Sequence, residues 1–184
     1  MKSAPAVLAA LALAAPALAR EVAGVDFPET AGVSGGELRL NGAGVRTRFF
    51  VKVYAGGLYL AQPSGDPEAI VAADAPKRVR MVFLRDVDKG KIMETYREGF
   101  ENKSPGPGLA ALLRELERLA PALADMKKGG EMSVTYVPGQ GTTVAASGGG
   151  AVNVEGKDFA DAMFRNWLGP KPADGALQKA FVGK

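Results

Sequence analysis

The stretch GAGVRTRFFVKVYAGGLYL, residues 42–60, runs with a period of two. The odd positions Val45, Phe49, Val51 and Val53 are apolar, with Thr47 the exception, and the even positions Arg46, Arg48, Lys52 and Tyr54 carry charge or a hydroxyl. Successive side chains of a strand point to opposite faces, so this spacing predicts a β-strand packed on one side. The even face is the unusual one, because Phe50, Leu58 and Leu60 also fall on it. A solvated face is seldom so apolar, and a core face seldom holds arginine. The expectation is one long strand, or a strand with a bend, whose mixed face lines a cleft.

The other elements follow from local signals. EVAGVD at 21–26 and ELRLN at 37–41 read as short strands around a Gly-rich turn at 32–36. Asp66 followed by Pro67 starts a short helix reaching about Ala73. KRVRMVFLR at 77–85 is a strand with Val79, Met81 and Phe83 on one face, and Asp86 or Asp88 caps a helix to about Asn102 that carries Ile92, Met93, Tyr96 and Phe100 at helical spacing. SPGPG at 104–108 breaks it before a second amphipathic helix with Leu109, Leu112, Leu113, Leu116 and Leu119 in a stripe. Strands at 131–138, at 142–147 and in AVNVEG follow, then helices at about 157–168 and 174–182. Strands early, helices in the middle, a meander and helices again predict an α+β fold with an antiparallel sheet.

Residues 1–19, MKSAPAVLAALALAAPALA, have the cationic start, the short Ala- and Leu-rich run and the small-x-small ending of a secretory leader. Its removal near Ala19 would leave residues 20–184 as one domain, periplasmic or secreted, with no second hydrophobic segment to hold it stably in a membrane. The chain contains neither cysteine nor histidine. That excludes disulfides, thiol nucleophiles, thiolate metal sites, Ser-His-Asp triads and His-bearing metal sites, so no metal or cofactor is implied and any catalysis must use Arg, Lys, Tyr, carboxylates or backbone dipoles. With 23 basic against 20 acidic residues, Lys2 belonging to the leader, the balance is close to neutral and gives no sign of nucleic acid as a partner. The Gly148-Gly149-Gly150 run lacks the lysine and strand-to-helix setting of a phosphate loop.

In order and spacing GAGVR, FVKVYAGGLYL, KIMETYREGF and FRNWLG resemble the chalcone isomerase superfamily, nearest to its bacterial members carried on signal peptides, over residues 22–181. The resemblance implies an open-faced β-sandwich in which a large antiparallel sheet carries a layer of helices on one face. The family includes plant enzymes that cyclise chalcones, plastid proteins that bind fatty acids, and members without detected activity. The substrate-binding arginine of the enzymes falls on Arg46, and their catalytic threonine falls on Tyr54. Their helical Tyr, Lys and Asn fall on Asp88, Lys91 and Thr95, and a terminal Thr-Met pair falls on Asn166 and Trp167.

Spacing adds to this, since offsets of three and four place Asp88, Lys91 and Thr95 on one helix face, while Phe159, Met163 and Trp167 form an inward stripe. With Arg46 and Tyr54 they would enclose an apolar pocket with a few polar anchors. Plainer readings stand beside these: a strand arginine covering apolar surface, a tyrosine with a wet hydroxyl, a solvated lysine, a core tryptophan, and capping aspartates at 86 and 88. Eight residues of straight strand also span about 26 Å, so Arg46 and Tyr54 can reach one ligand group only if the chain bends between them.

Three functions remain open on these residues. The first is a non-catalytic binder of a small amphipathic anion such as a fatty acid, with Arg46, Tyr54, Lys91, Thr95, Asn166 and Trp167 as its contacts. The second is an isomerase closing a chalcone-like phenolic enone, with Arg46 and Lys91 stabilising enolate charge. The third is a partner-binding module, for which the largest exposed apolar patch would be the sign.

Overall fold

The computed structural model describes residues 19–104 and 106–183, so the leader, apart from Ala19, lies outside the described residues. A hairpin of β1 (Ala19–Val22) and β2 (Val25–Pro28) precedes a seven-stranded antiparallel sheet. The sheet comprises β3 (Thr30–Val33), β4 (Gly36–Arg48), β5 (Val51–Leu60), β6 (Lys77–Phe83), β7 (Glu131–Val137), β8 (Gly141–Ala146) and β9 (Ala151–Val154), each strand beside its sequence neighbour. Helices α1 (Pro67–Ala72), α2 (Lys89–Lys103), α3 (Leu109–Glu117), α4 (Lys157–Leu168) and α5 (Gly175–Phe181) complete the fold. Among the described residues no helix is long and apolar enough to cross a membrane.

The α+β architecture with helices on one sheet face is the one expected. Along β6, Val79, Met81 and Phe83 face the helices and meet Phe100, Phe159, Met163 and Phe164 in the main core. Fully burying one phenylalanine is worth about 1.5–3 kcal/mol, so these rings account for much of what holds α2 and α4 on the sheet. Phe27, Leu38, Leu40, Ala55 and Tyr59 form a second, smaller core with partly buried Val22 and Val25 of the β1–β2 hairpin packed against it. Residues 21–26 are therefore not one strand. The chain turns at Ala23 and Gly24, both with positive φ, and returns as β2.

The stretch 42–60 is a hairpin rather than a single strand. Arg48 pairs with Val51 across a two-residue turn made by Phe49 and Phe50, whose φ angles are 48° and 63°. A turn of this length with both central residues left-handed is the tight kind that favours Asn-Gly, and it matches the twist of the flanking strands. Two aromatics there raise the backbone energy by on the order of 1 kcal/mol each.

The odd-even division of faces is overturned as well. A register shift between Arg46 and Thr47 pairs Arg46 with Tyr54 but Thr47 with Lys52, leaving Val53 as an extra residue on β5. The bulge resets the pleat, so Arg46, Arg48, Val51, Val53 and Tyr54 all border the same cavity.

Two glycines place this hairpin against α5. A Cβ on Gly42 would sit 2.7 Å from the carbonyl oxygen of Phe181, and one on Gly44 would sit 2.6 Å from the Ala180 Cβ. Asn41 fastens one end of the contact by donating to the carbonyls of Phe181 (2.7 Å) and Ser64 (2.9 Å). Asp174 fastens the other, accepting from the Thr47 amide at 2.8 Å while capping α5 through the amides of Ala176 and Leu177. Arg46 lies one residue from that anchor.

Candidate functional site

β4 and β5 present Arg46 and Tyr54 as direct cross-strand partners, with the guanidinium carbon 5.9 Å from the phenol ring centroid. The bend that convergence required is the Phe49–Phe50 turn. From α4, the Trp167 indole Nε1 donates to the Tyr54 hydroxyl oxygen at 2.8 Å. From α2, the ring of Tyr96 packs edge-on against Trp167 at 6.1 Å, and from β6 Phe83 packs against Tyr54 at 5.8 Å. Four elements thus fix one buried aromatic cluster beside one arginine.

A cavity of about 590 Å³ opens next to this cluster, inside the range of roughly 300–1,000 Å³ common for small-molecule sites. Its apolar wall includes Val53, Met81, Phe83, Ile92, Met132 and Trp167. Arg46, Arg48, Thr95 and Ala173 are shared with an adjoining cavity of about 410 Å³, bordered also by Glu98, Asn102, Lys103 and Lys171. Arg46 therefore stands where an apolar chamber meets a polar one.

The polar atoms there are unevenly satisfied. Arg46 Nε is buried and finds no hydrogen-bond partner among the described residues. A buried donor left unpaired costs on the order of 1–3 kcal/mol, and more when charged, so this atom calls for an acceptor. Burial holds the Tyr54 hydroxyl above the usual phenol range, against the opposing influence of the Arg46 charge and the Trp167 hydrogen bond. Burial also raises Tyr96. Both phenols accordingly stay protonated near neutral pH and act as donors, not bases. Lys103 is lowered by burial first and the nearby Arg46 charge second.

The remaining expected residues border the same cavity with their polar groups already engaged. Lys91 is exposed and pairs with Glu94, one helical turn away. Thr95 Oγ1 donates to the Lys91 carbonyl at 2.8 Å. Asn166 is buried, its Nδ2 donating to the Met163 carbonyl at 2.9 Å and its amide resting against Gly99, where α2 and α4 come together. Asp88 caps α2 through the amides of Gly90 and Lys91.

Sequence reasoning did not assign Tyr96 and Phe83 to the site, reading them as core; it placed Arg48 on the cleft-lining face without naming it as a contact, and it did not reach Lys103. Continuing the α2 stripe from Ile92 and Tyr96 by three and then four residues arrives at Gly99 and Lys103, so the helical period carried a usable signal.

A family model described as chalcone isomerase-like matches residues 19–183. No curated protein sequence matches the chain. Among solved structures, a crystal structure of a fatty-acid binding protein from Arabidopsis thaliana is similar with a TM-score of 0.65 and 18% sequence identity, covering 86% of this chain and 92% of that one. A likeness at that identity bears on the fold.

Proposed function

The chain belongs to the chalcone isomerase-like family, and from that premise we propose that it is a non-catalytic protein binding a fatty acid or similar amphipathic anion. The observation that carries this reading is Arg46 Nε, buried without a partner at the head of an apolar cavity. A carboxylate is the acceptor such a donor fits best, because a guanidinium offers two parallel N–H groups to its two oxygens. Tyr54 adds a second donor. Its oxygen accepts from Trp167, which leaves its own proton for the ligand. The acyl chain would lie along Val53, Met81, Phe83, Ile92 and Met132.

The fatty-acid binding named for the Arabidopsis relative agrees with this arrangement. Cyclisation of a phenolic enone has less support. Arg46 and Lys91 would have to hold the developing enolate, yet Lys91 is paired with Glu94 and the raised phenols supply no base near neutral pH. We further infer from the leader-like pattern of residues 1–19 that the protein is exported by a bacterium and works outside the cytoplasm. Sequencing the amino terminus of protein from the periplasmic fraction tests it, and the expected first residue is Arg20.

The binding proposal is tested by native mass spectrometry of the purified protein, followed by extraction of what it retains. A stoichiometric fatty acid that is lost in Arg46→Ala supports the assignment. Chalcone cyclisation faster than in buffer, with no retained acid, would replace it with the enzyme.

A further inference from the structure

The apex of the β4–β5 hairpin is left unexplained by the cavity's own chemistry. Phe49 and Phe50 expose 83% and 102% of their surface and Val51 exposes 43%, and these are the large exposed hydrophobics of the described residues. Single exposed apolar side chains are ordinary. Here two aromatics sit side by side in left-handed backbone that suits Asn-Gly, so the apolar pair is kept against local preference. Phe49 and Val51 also border the main cavity, which makes the patch continuous with its mouth.

Cations surround the apex. Arg48 lies with its guanidinium carbon 5.5 Å from the Phe49 ring centroid, Lys52 follows on β5, and Arg85 borders the same cavity mouth. Among the described residues none of these three forms an ion pair. The carboxylates nearby are engaged: Asp86 by Lys127 and the Lys128 amide, Glu94 by Lys91, and Asp88 by the first turn of α2. The net effect is an aromatic tip within a positive collar.

We propose that this tip is a membrane-docking element that seats the cavity mouth on an anionic lipid bilayer. Aromatic rings favour the headgroup boundary of a bilayer, and neighbouring cations are drawn to its negative surface. Phe50 enters the interface, Phe49 and Val51 lie at its level, and the three cations meet lipid phosphates. The proposal extends the fatty-acid reading, since an acid poorly soluble in water would pass between bilayer and cavity without crossing solvent.

The test is co-sedimentation of the purified protein with phosphatidylglycerol-phosphatidylcholine vesicles, with pure phosphatidylcholine vesicles beside them. The parent protein is expected to be retained on the anionic vesicles and to be released by salt. Phe50→Gly should lower retention by tenfold or more, while the protein becomes more heat-stable because glycine suits the positive φ at that position. Its affinity for palmitate in solution should not change, as Phe50 does not border the cavity. Phe50→Trp should keep retention, with its emission shifting to the blue on vesicles. Failure of the parent to bind anionic vesicles, or equal retention of Phe50→Gly, overturns the proposal. So does a change of oligomeric state in Phe50→Gly with retention unaltered, which would make the tip a contact between copies. Vesicle binding by a protein with no palmitate affinity would keep the docking surface and remove the fatty-acid reading.

Discussion

The Trp167 indole nitrogen and the Tyr54 phenol oxygen are 2.8 Å apart, although 113 residues separate them in the chain. The indole can only donate, so the phenol must accept there and direct its own proton elsewhere. This bond occupies the phenol oxygen as an acceptor and leaves the Tyr54 proton available to a further partner beside Arg46.

Trp167→Phe removes that donor and part of the wall. The variant should lose about 2 kcal/mol of stability, combining an unsatisfied buried oxygen with lost packing. Ligand affinity should fall several-fold because the phenol is no longer held as a donor. Urea denaturation together with a ligand titration gives both quantities, and an affinity drop without a stability change would argue against the shared bond.

Tyr54→Phe removes one neutral hydrogen bond to the ligand, worth about 0.5–1.5 kcal/mol, so affinity should fall by roughly two- to tenfold. In the parent, the raised hydroxyl stays protonated up to and beyond the ordinary phenol range. Affinity should therefore be flat between about pH 7 and pH 10. A decline centred near neutral pH would mean that another group controls binding.

Lys77 is only 2% exposed and donates to the carbonyls of Ile70 (2.7 Å), Val71 (3.0 Å) and Ala73 (2.7 Å), closing the end of α1. Burial first, then the charge of Lys157, pulls its pKa down to about 8. The native state then releases this proton before the unfolded chain does. Stability should rise with pH from about 8 towards the ordinary lysine range. The buried tyrosines work in the opposite sense, since their raised values mean the unfolded chain ionises first, so stability should fall again above about pH 10. Lys77→Met should flatten the first rise and, by leaving carbonyls unpaired, destabilise the protein by about 1–3 kcal/mol. Denaturation at about pH 7, 9 and 11 resolves the two limbs.

Gly42→Ala drives a methyl into the backbone of α5. A loss of at least about 2 kcal/mol is expected, with faster hydrogen exchange concentrated in Gly175–Phe181. Gly36→Ala is the control, since its Cβ would sit 3.6 Å from the nearest heavy atom, the Val33 carbonyl oxygen, and its effect should stay within about 0.5 kcal/mol. Similar losses in the two variants would mean that close contact with α5 is not what position 42 requires.

Much of the fold was legible because its signals were local. Asp66 caps the helix it was expected to start, Asp88 is the one of the two candidates at 86 and 88 that caps α2, and the alternation through Val79, Met81 and Phe83 marks the face that β6 buries. The Phe49–Phe50 turn was not legible, because a tight two-residue turn announces itself by Asn-Gly and here both positions are aromatic. A bulge leaves no residue signature at Val53, so the face assignment of Arg46 and Tyr54 needed the register. Lys77 falls on that same face of β6, but nothing in its neighbours indicates that the carbonyls of α1 will converge on its ammonium group. The candidate site was visible as Arg46, Tyr54 and Trp167 through family resemblance, but their direct contacts arise from pairing between distant segments.

The central claim is that Arg46 anchors a carboxylate at the head of an apolar cavity. Trp167 is the sole tryptophan and borders that cavity, so its emission reports occupancy directly. The decisive measurement is a palmitate titration of the parent, Arg46→Lys and Arg46→Ala, alongside their unfolding curves. The account predicts saturable binding in the parent, a weakening of well over tenfold in Arg46→Ala, equivalent to more than about 1.4 kcal/mol, and an intermediate value for Arg46→Lys, which keeps the charge but loses the paired geometry. Equal affinity in the parent and a folded Arg46→Ala would contradict it.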